Sequence, residues 1–349
     1  MAYSTIPKGS LHMNTKLYTG DSASSRTIAG IGFEPSLTWN KPRTTANDHQ
    51  WVDAVRGGGK VISSNLADAE YTAGNTILSF GSDGFTCGDG ASVNANGVTY
   101  ASWNWVAGGS ASSNSNGSIT SSVSVNTDAG FSIVSWTGDG NNGATIAHGL
   151  GVTPAIVITK RRNTTGDFQI GGSLIDTVRG GANSLLLLNT TAAMDSNSEV
   201  YQTFSSTTFQ VGVNASINAS GGTLISYCFR DVQGYSKFGS YTGNGNADGP
   251  FTYLGFKPAW VLIKQTNSGN IWELFDNKRS PFNLVDDYLS PDASDAETTG
   301  SSQSLDFLSN GFKPRANASG LNGSGSSYIY MCFAENPFTT STGVPATAR

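Results

Sequence analysis

The residues best suited to chemistry are pairs of opposite charge at a fixed spacing. Asp53 and Arg56, Asp176 and Arg179, and Asp276 and Arg279 lie in "VDAVRGGGKVISSN", "LIDTVRGGANSLLLLN" and "ELFDNKRSPFNLVDDYL". A carboxylate and a guanidinium at that spacing can form a bidentate ion pair that clamps a loop. The same carboxylate could instead bind a ligand. Threefold recurrence favours the clamp, because framework is needed in every unit and an active site only once. The one acidic cluster is Asp286, Asp287, Asp292, Asp295 and Glu297 in "VDDYLSPDASDAE". Two carboxyls about 5–9 Å apart could cleave a glycoside, and a solvated loop is the plainer reading.

Other candidate motifs lack the context their chemistry needs. Gly138-Asp139-Gly140-Asn141-Asn142-Gly143 matches G-x-G-x-x-G, but "ATIAHGLGVTP" follows it. That stretch is no helix, and a dinucleotide fingerprint needs a helix N-terminus facing the pyrophosphate. A turn is expected. The loops carrying Asp139 and Asp248 offer too few carboxylates for a strong calcium site. His12, His49 and His148 have no second histidine at metal spacing and no nucleophile elbow beside them. No catalytic, cofactor-binding or metal-binding residue is expected.

The elements that must hold these residues repeat. "YTGDSASSRTIAGIGFEP", "WTGDGNNGATIAHGLGVTP" and "YTGNGNADGPFTYLGFKP" begin at Tyr18, Trp136 and Tyr241. An internal period of this kind decides the architecture. Further landmarks follow in the same order in each unit. Gly-x-x-Pro leads into alternating runs such as "GVTPAIVITKRR", a strand signal. "SFGSDGFTCG", "TFSSTTFQVG" and "DFLSNGFKPR" read as hairpins, two of them turning on Asp-Gly or Asn-Gly. "SVNANGVTYASWNWV", "SINASGGTLISYCFRDV" and "GLNGSGSSYIYMCFAENPF" read as a turn and then a strand apolar on both faces.

Composition agrees. Charged residues make up 13% and Gly 43 of 349 positions. Gly, Ser, Asn and Thr disfavour helices and suit short strands joined by tight turns. The predicted fold is all-β: three tandem antiparallel β-sandwich, jelly-roll-like repeats of about 100 residues, each large enough for its own core. The expected layout is an N-terminal arm at 1–16, repeats at 17–107, 131–237 and 238–338, a Gly/Ser/Asn linker at 108–130, and a tail at 339–349.

The net charge of −5 and the lack of any basic stretch beyond Lys160–Arg162 argue against nucleic acid. No apolar run approaches the ~20 residues of a membrane span, and no signal peptide is expected at the N-terminus. The three cysteines have no metal or disulfide spacing, and Cys228 and Cys332 hold equivalent places where the first unit has Asn104. Free, partly buried thiols are expected. Of Trp39, Trp51, Trp103, Trp105, Trp136, Trp260 and Trp272, those in strand patterns (Trp103, Trp260) read as core, and one or two others could line a sugar-binding groove.

"YTGNGNADGPFTYLGFKPAWVLIKQT", "FDNKR", "LDFLSNGFKPR", "SYIYMCFAENPF", "GYSKFGSYTGNG" and "GVPATAR" together resemble repeat domains of virion proteins from marine tailed bacteriophages. The resemblance covers about Tyr18 to Arg349. It implies a structural protein of the particle exterior, tail-fibre-like or capsid-associated, with no catalytic residue. Three functions follow as expectations. The first is a non-enzymatic virion protein, a capsid decoration or knob or a tail appendage, assembled in the host cytoplasm. The second is a receptor-binding protein for a host surface glycan, and the third a polysaccharide depolymerase. Expected partners are other virion proteins and further copies of the chain. Free thiols fit assembly in a reducing cytoplasm.

Overall fold

The computed structural model describes residues 4–300, 303–339, 343 and 345–347. Strands fill 42% of the chain and helices 5%, and all named strand pairs are antiparallel. The all-β expectation holds.

The first segment contains β1 (Met13–Thr19), β2 (Arg26–Ala29), β3 (Leu37–Pro42), β4 (Gln50–Asp53), β5 (Lys60–Val61), β6 (Tyr71–Thr72), β7 (Ile77–Gly81), β8 (Gly84–Cys87) and β9 (Thr99–Trp105). A connecting stretch adds β10 (Ser112–Asn114) and β11 (Ser121–Asn126). The second segment contains β12 (Phe131–Thr137), β13 (Ala144–Ala147), β14 (Ile156–Arg161), β15 (Gln169–Gly171), α1 (Ser173–Arg179), β16 (Ser184–Leu187), β17 (Asp195–Ser196), β18 (Tyr201–Phe204), β19 (Thr208–Val211), α2 (Ala215–Asn218) and β20 (Thr223–Phe229). The third contains β21 (Ser236–Thr242), β22 (Thr252–Tyr253), β23 (Phe256–Gln265), β24 (Trp272–Asp276), β25 (Leu305–Leu308), β26 (Gly311–Pro314), α3 (Ser319–Asn322) and β27 (Ser327–Pro337).

One strand order occurs three times. The larger sheets run β1-β9-β3-β4, β12-β20-β14-β15 and β21-β27-β23-β24, and the smaller ones β2-β8-β7, β13-β19-β18 and β22-β26-β25. Each larger sheet packs on its smaller sheet around its own core. Phe85 and Cys87 mark the first core, Phe209 and Cys228 the second, Phe312 and Cys332 the third. Pro35 and Pro154 precede their strands, whereas Pro258 lies inside β23, where the register with β27 shifts. A proline cannot donate to the ladder, so a bulge is what an internal one requires.

The opposite faces of the three larger sheets share a fourth core. It gathers Trp39, Trp51, Trp103 and Trp105 from the first segment, Ile156, Ile158 and Tyr227 from the second, and Trp260, Trp272 and Phe333 from the third. This shared core is why β9, β20 and β27 are apolar on both faces. It also corrects the picture of self-contained units. Burying one tryptophan removes ~150–250 Å² from water, which is about 4–6 kcal/mol of transfer free energy.

Two boundaries differ from expectation. Residues 108–130 are no free linker: β10 and β11 pair with each other and with β12, so the second large sheet has eight strands with β16 and β17 added. Every second residue of "SVSV" is a valine, and Val123 is buried in the second core while Val125 packs against it. Polar composition hid that alternation. Of the expected arm, β1 already starts at Met13, and Ile6 is buried in the shared core. Gly234, in the connection between the second and third segments, lies against Ser4 and against the end of β27. A Cβ there would sit 2.7 Å from Ser4 and 3.1 Å from Pro337. The expected tail falls mostly outside the described residues.

Candidate functional site

The polar side chains capable of chemistry converge on the junctions between the three sandwiches. Paired backbone hydrogen bonds define each junction. Glu70 N donates to Arg162 O at 2.8 Å and Gly166 N to Ala67 O at 2.7 Å, between first and second. Met194 N donates to Thr266 O at 2.8 Å and Asn270 N to Thr191 O at 2.9 Å, between second and third. Glu297 N donates to Arg43 O at 2.7 Å and Asn47 N to Ser294 O at 2.8 Å, between third and first. Each sandwich therefore touches the other two, and the contacts close a ring.

Two junctions carry the expected clamps. Asp53 ends β4 with its carboxylate on both the backbone N–H and the guanidinium of Arg56, both side chains fully buried. Arg56 also reaches Glu70 at 3.0 Å, and Glu70 meets Arg162 of the second sandwich at 2.8 Å. Tyr227, also of the second sandwich, donates to Asp53 Oδ2 at 2.8 Å. The third sandwich repeats this against the first. Asp276 holds Arg279 at 2.5 Å, Arg279 reaches Glu297 at 2.8 Å, and Glu297 meets Arg43 at 2.6 Å. Trp103 Nε1 donates to Asp276 Oδ2 at 3.0 Å. Burial opposes ionisation of Asp276, but Arg279 and the Trp103 donor outweigh it and hold the carboxyl below its ordinary value. The same contest favours charge on Arg56, which burial works against and Asp53 and Glu70 restore.

The third expected clamp does not form. Asp176 and Arg179 lie on α1, where Asp176 accepts from Ser184 N at 3.0 Å. Arg179 is exposed and turns to Ser196 Oγ at 2.9 Å and Met194 O. Burial without a cation raises the Asp176 carboxyl. The reason lies across the junction. Met331 takes the register place of Trp103 and Tyr227, Met194 the place of Glu70 and Glu297, and Thr266 that of Arg43 and Arg162. With no donor and no second ion pair, a buried Asp–Arg pair would have nothing to complete it.

A second set recurs at all three junctions and was missed in the sequence. Lys41, Lys160 and Lys264 are buried near the ends of β3, β14 and β23. Each ammonium donates to a carbonyl of a neighbouring sandwich: Lys41 to Ser294 O at 3.2 Å, Lys160 to Ala67 O at 2.8 Å, Lys264 to Thr191 O at 3.1 Å. Gly166 O completes the Lys160 site, and Asn270 O at 2.8 Å that of Lys264. Burial lowers each of the three to about 8. The signal was present: a lysine ends each Gly-x-x-Pro run, in "TWNK", "VITK" and "VLIK".

The opening loops are held by a third recurrent device. Buried Asn94, Asn218 and Asn322 accept the backbone N–H of Asp21 at 3.1 Å, Asp139 at 3.1 Å and Asn244 at 2.8 Å. Their amides donate back to the same side chains at 2.9, 3.2 and 2.9 Å. Gly20, Gly138 and Gly243 are required there, because a Cβ would meet a backbone oxygen at 2.0, 2.4 and 2.3 Å. The G-x-G-x-x-G stretch is thus a bracketed turn between β12 and β13.

The remaining candidates are scattered. Glu297 is spent on Arg43 and Arg279. Asp292 accepts from Trp272 N at 3.1 Å, and burial lifts it to about 6. Asp248 pairs with Lys313 at 2.7 Å and Arg315 at 2.8 Å. His49 accepts from Trp39 Nε1 at 2.8 Å, and His148 lies within 3.2 Å of Ser205 O; burial lowers both imidazoles. Glu273 is fully buried in the third sandwich, which keeps its carboxyl well above the ordinary range. No cluster of three or more potential metal ligands occurs among the described residues. All seven tryptophans are buried, so the expectation that one or two line a surface groove fails: the shared core claims six of them. Cys87, Cys228 and Cys332 are free and buried in three different cores, each thiol pushed up by burial.

No curated protein matches the chain. A family model described as "Domain of unknown function (DUF7483)" matches residues 8–337, and the chain belongs to that family.

Proposed function

We propose that this chain is a non-enzymatic structural protein on the exterior of a tailed phage particle, serving as a capsid decoration or knob, or as a tail appendage. The observation that carries this reading is the use of its buried charge. Asp53, Arg56, Asp276, Arg279 and the three buried lysines all serve to close three sandwiches into one ring. The three sandwiches are proposed to be tandem copies of one module, on the strength of recurrent strand order, lysines and asparagine brackets. The resemblance of "YTGNGNADGPFTYLGFKP" and "SYIYMCFAENPF" to phage virion repeats points the same way. Three free thiols suit assembly in a host cytoplasm before release in the virion. Other virion proteins and further copies of the chain are the partners proposed.

Electron microscopy of particles carrying a label on this chain tests the reading. Label on the capsid or the tail is expected and decides between the two placements. Purified particles that lack the chain would overturn both. A tail-fibre-type receptor-binding role is the second reading, favoured by exposed aromatic rings on the third sandwich. A depolymerase is not favoured, because Glu297 and Asp292 of the acidic segment are engaged by Arg279, Arg43 and Trp272.

A further inference from the structure

The outer faces of the three smaller sheets match in register and differ in chemistry. Ile28, Ile146 and Thr252 pair with Phe85, Phe209 and Phe312, all directed into their sandwiches. The flanking positions are Thr27 and Ala29 in the first sheet, both exposed, and Thr145 and Ala147 in the second, where the segment carrying Ile119 lies alongside and Ala147 is buried. In the third they are Phe251, 48% exposed, and Tyr253, 56% exposed. Tyr253 is the cross-strand partner of Gly311, where a Cβ would meet Phe251 Cε2 at 2.9 Å and Thr252 O at 2.1 Å. Glycine there lets the Phe251 ring lie close over the strand. Lys313 is two residues along the same strand, about 7 Å away on the same face. Its Nζ lies 2.7 Å from Asp248, which Arg315 also meets at 2.8 Å, and Arg315 lies 3.4 Å from Asp306.

The geometry points to a carbohydrate-binding strip on β22 and β26 that takes uncharged pyranose units of a polysaccharide. Flat aromatic rings suit the C–H face of a pyranose, and exposing two of them side by side marks an interaction surface. The neighbouring network holds two cations and two carboxylates, so its charges cancel. It offers donors and acceptors in alternation, which matches hydroxyls that are both, and provides no net field to draw a polyanion. Scaffold recurs in this chain, and the strip occurs on one sandwich alone. The inference is independent of where the protein sits in a particle.

The test is binding of the full chain to a printed array of neutral and uronic-acid-containing bacterial polysaccharides, followed by calorimetry on the strongest hit. Neutral polymers are expected to bind. Tyr253→Ala should weaken binding about tenfold, and Tyr253→Phe should keep it within about threefold, since the ring supplies the stacking. Tyr253 is more than half exposed, so both variants should melt with the wild-type protein. Hits confined to acidic polymers, no hit at all, or wild-type affinity in Tyr253→Ala would each overturn the strip, while leaving placement in the virion untouched.

Discussion

Tyr227 of the second sandwich donates its hydroxyl to Asp53 of the first at 2.8 Å, inside the carboxylate that also grips Arg56. Trp103 does the same for Asp276 at 3.0 Å, from the first sandwich to the third. Two different aromatic donors occupy one register position and complete one kind of buried ion pair. Tyr227→Phe should therefore cost about 1–3 kcal/mol of stability, the range for leaving a buried charged acceptor short of a donor. Urea unfolding reads it directly; an unchanged midpoint would show that the hydroxyl contributes nothing to the clamp.

The two arginines at equivalent sequence positions should behave very differently. Arg279→Met strands Asp276 in the interior and removes one partner of Glu297, at a cost of about 3–5 kcal/mol. Arg179→Ala touches an exposed side chain and should stay within about 0.5 kcal/mol. Equal losses in thermal unfolding would contradict the account of the missing clamp.

The buried lysines predict an alkaline gain in stability. Their native values of about 8 lie below the ordinary 10.5, so above pH 8 the unfolded chain binds more protons than the native one. Stability then rises with pH. The gain should be visible from about pH 7.5 to 9, where the cysteines, lifted from 9.0 to about 11 and 12 at Cys87 and Cys228, oppose it only in part as they titrate in the unfolded chain. Lys160→Met should flatten that slope by about a third, because three similar groups share it. A slope identical to wild type would rule out Lys160 as a contributor.

Asn218→Asp tests the loop bracket. It replaces an amide donor facing Asp139 and the Gly212 carbonyl with a second carboxylate. A loss of about 3 kcal/mol or more is expected at neutral pH, easing as the pH falls and the carboxyls protonate. Denaturant titrations at two pH values would expose a pH-independent loss, which would speak against charge repulsion as the cause.

Much of this fold is legible in the residues, and the reasons for the rest are physical. Gly-x-x-Pro runs, Asn-Gly and Asp-Gly turns and double-faced apolar strands are local signals, and they locate β3, β14, β8, β26 and β27. Strands β10 and β11 escaped because serine and asparagine mask the two valines that alternate inward. The shared core was invisible because a strand buried on both faces reads the same whether its second face meets a helix, a sheet or two other sandwiches. The Asp176–Arg179 pair looked identical to its counterparts because a clamp depends on Tyr227, Trp103 and two arginines far away in sequence. The exposed rings Phe251 and Tyr253 were overshadowed by tryptophans, which burial removes from consideration.

The contact of Gly234 with both Ser4 and Pro337 gives the ring an unusual freedom of connectivity. Strand β27 ends beside Ser4, next to the short connector joining the second and third sandwiches. A circular permutant in which a brief spacer leads from Pro337 to Ser4, opened at a loop elsewhere, would keep every junction intact.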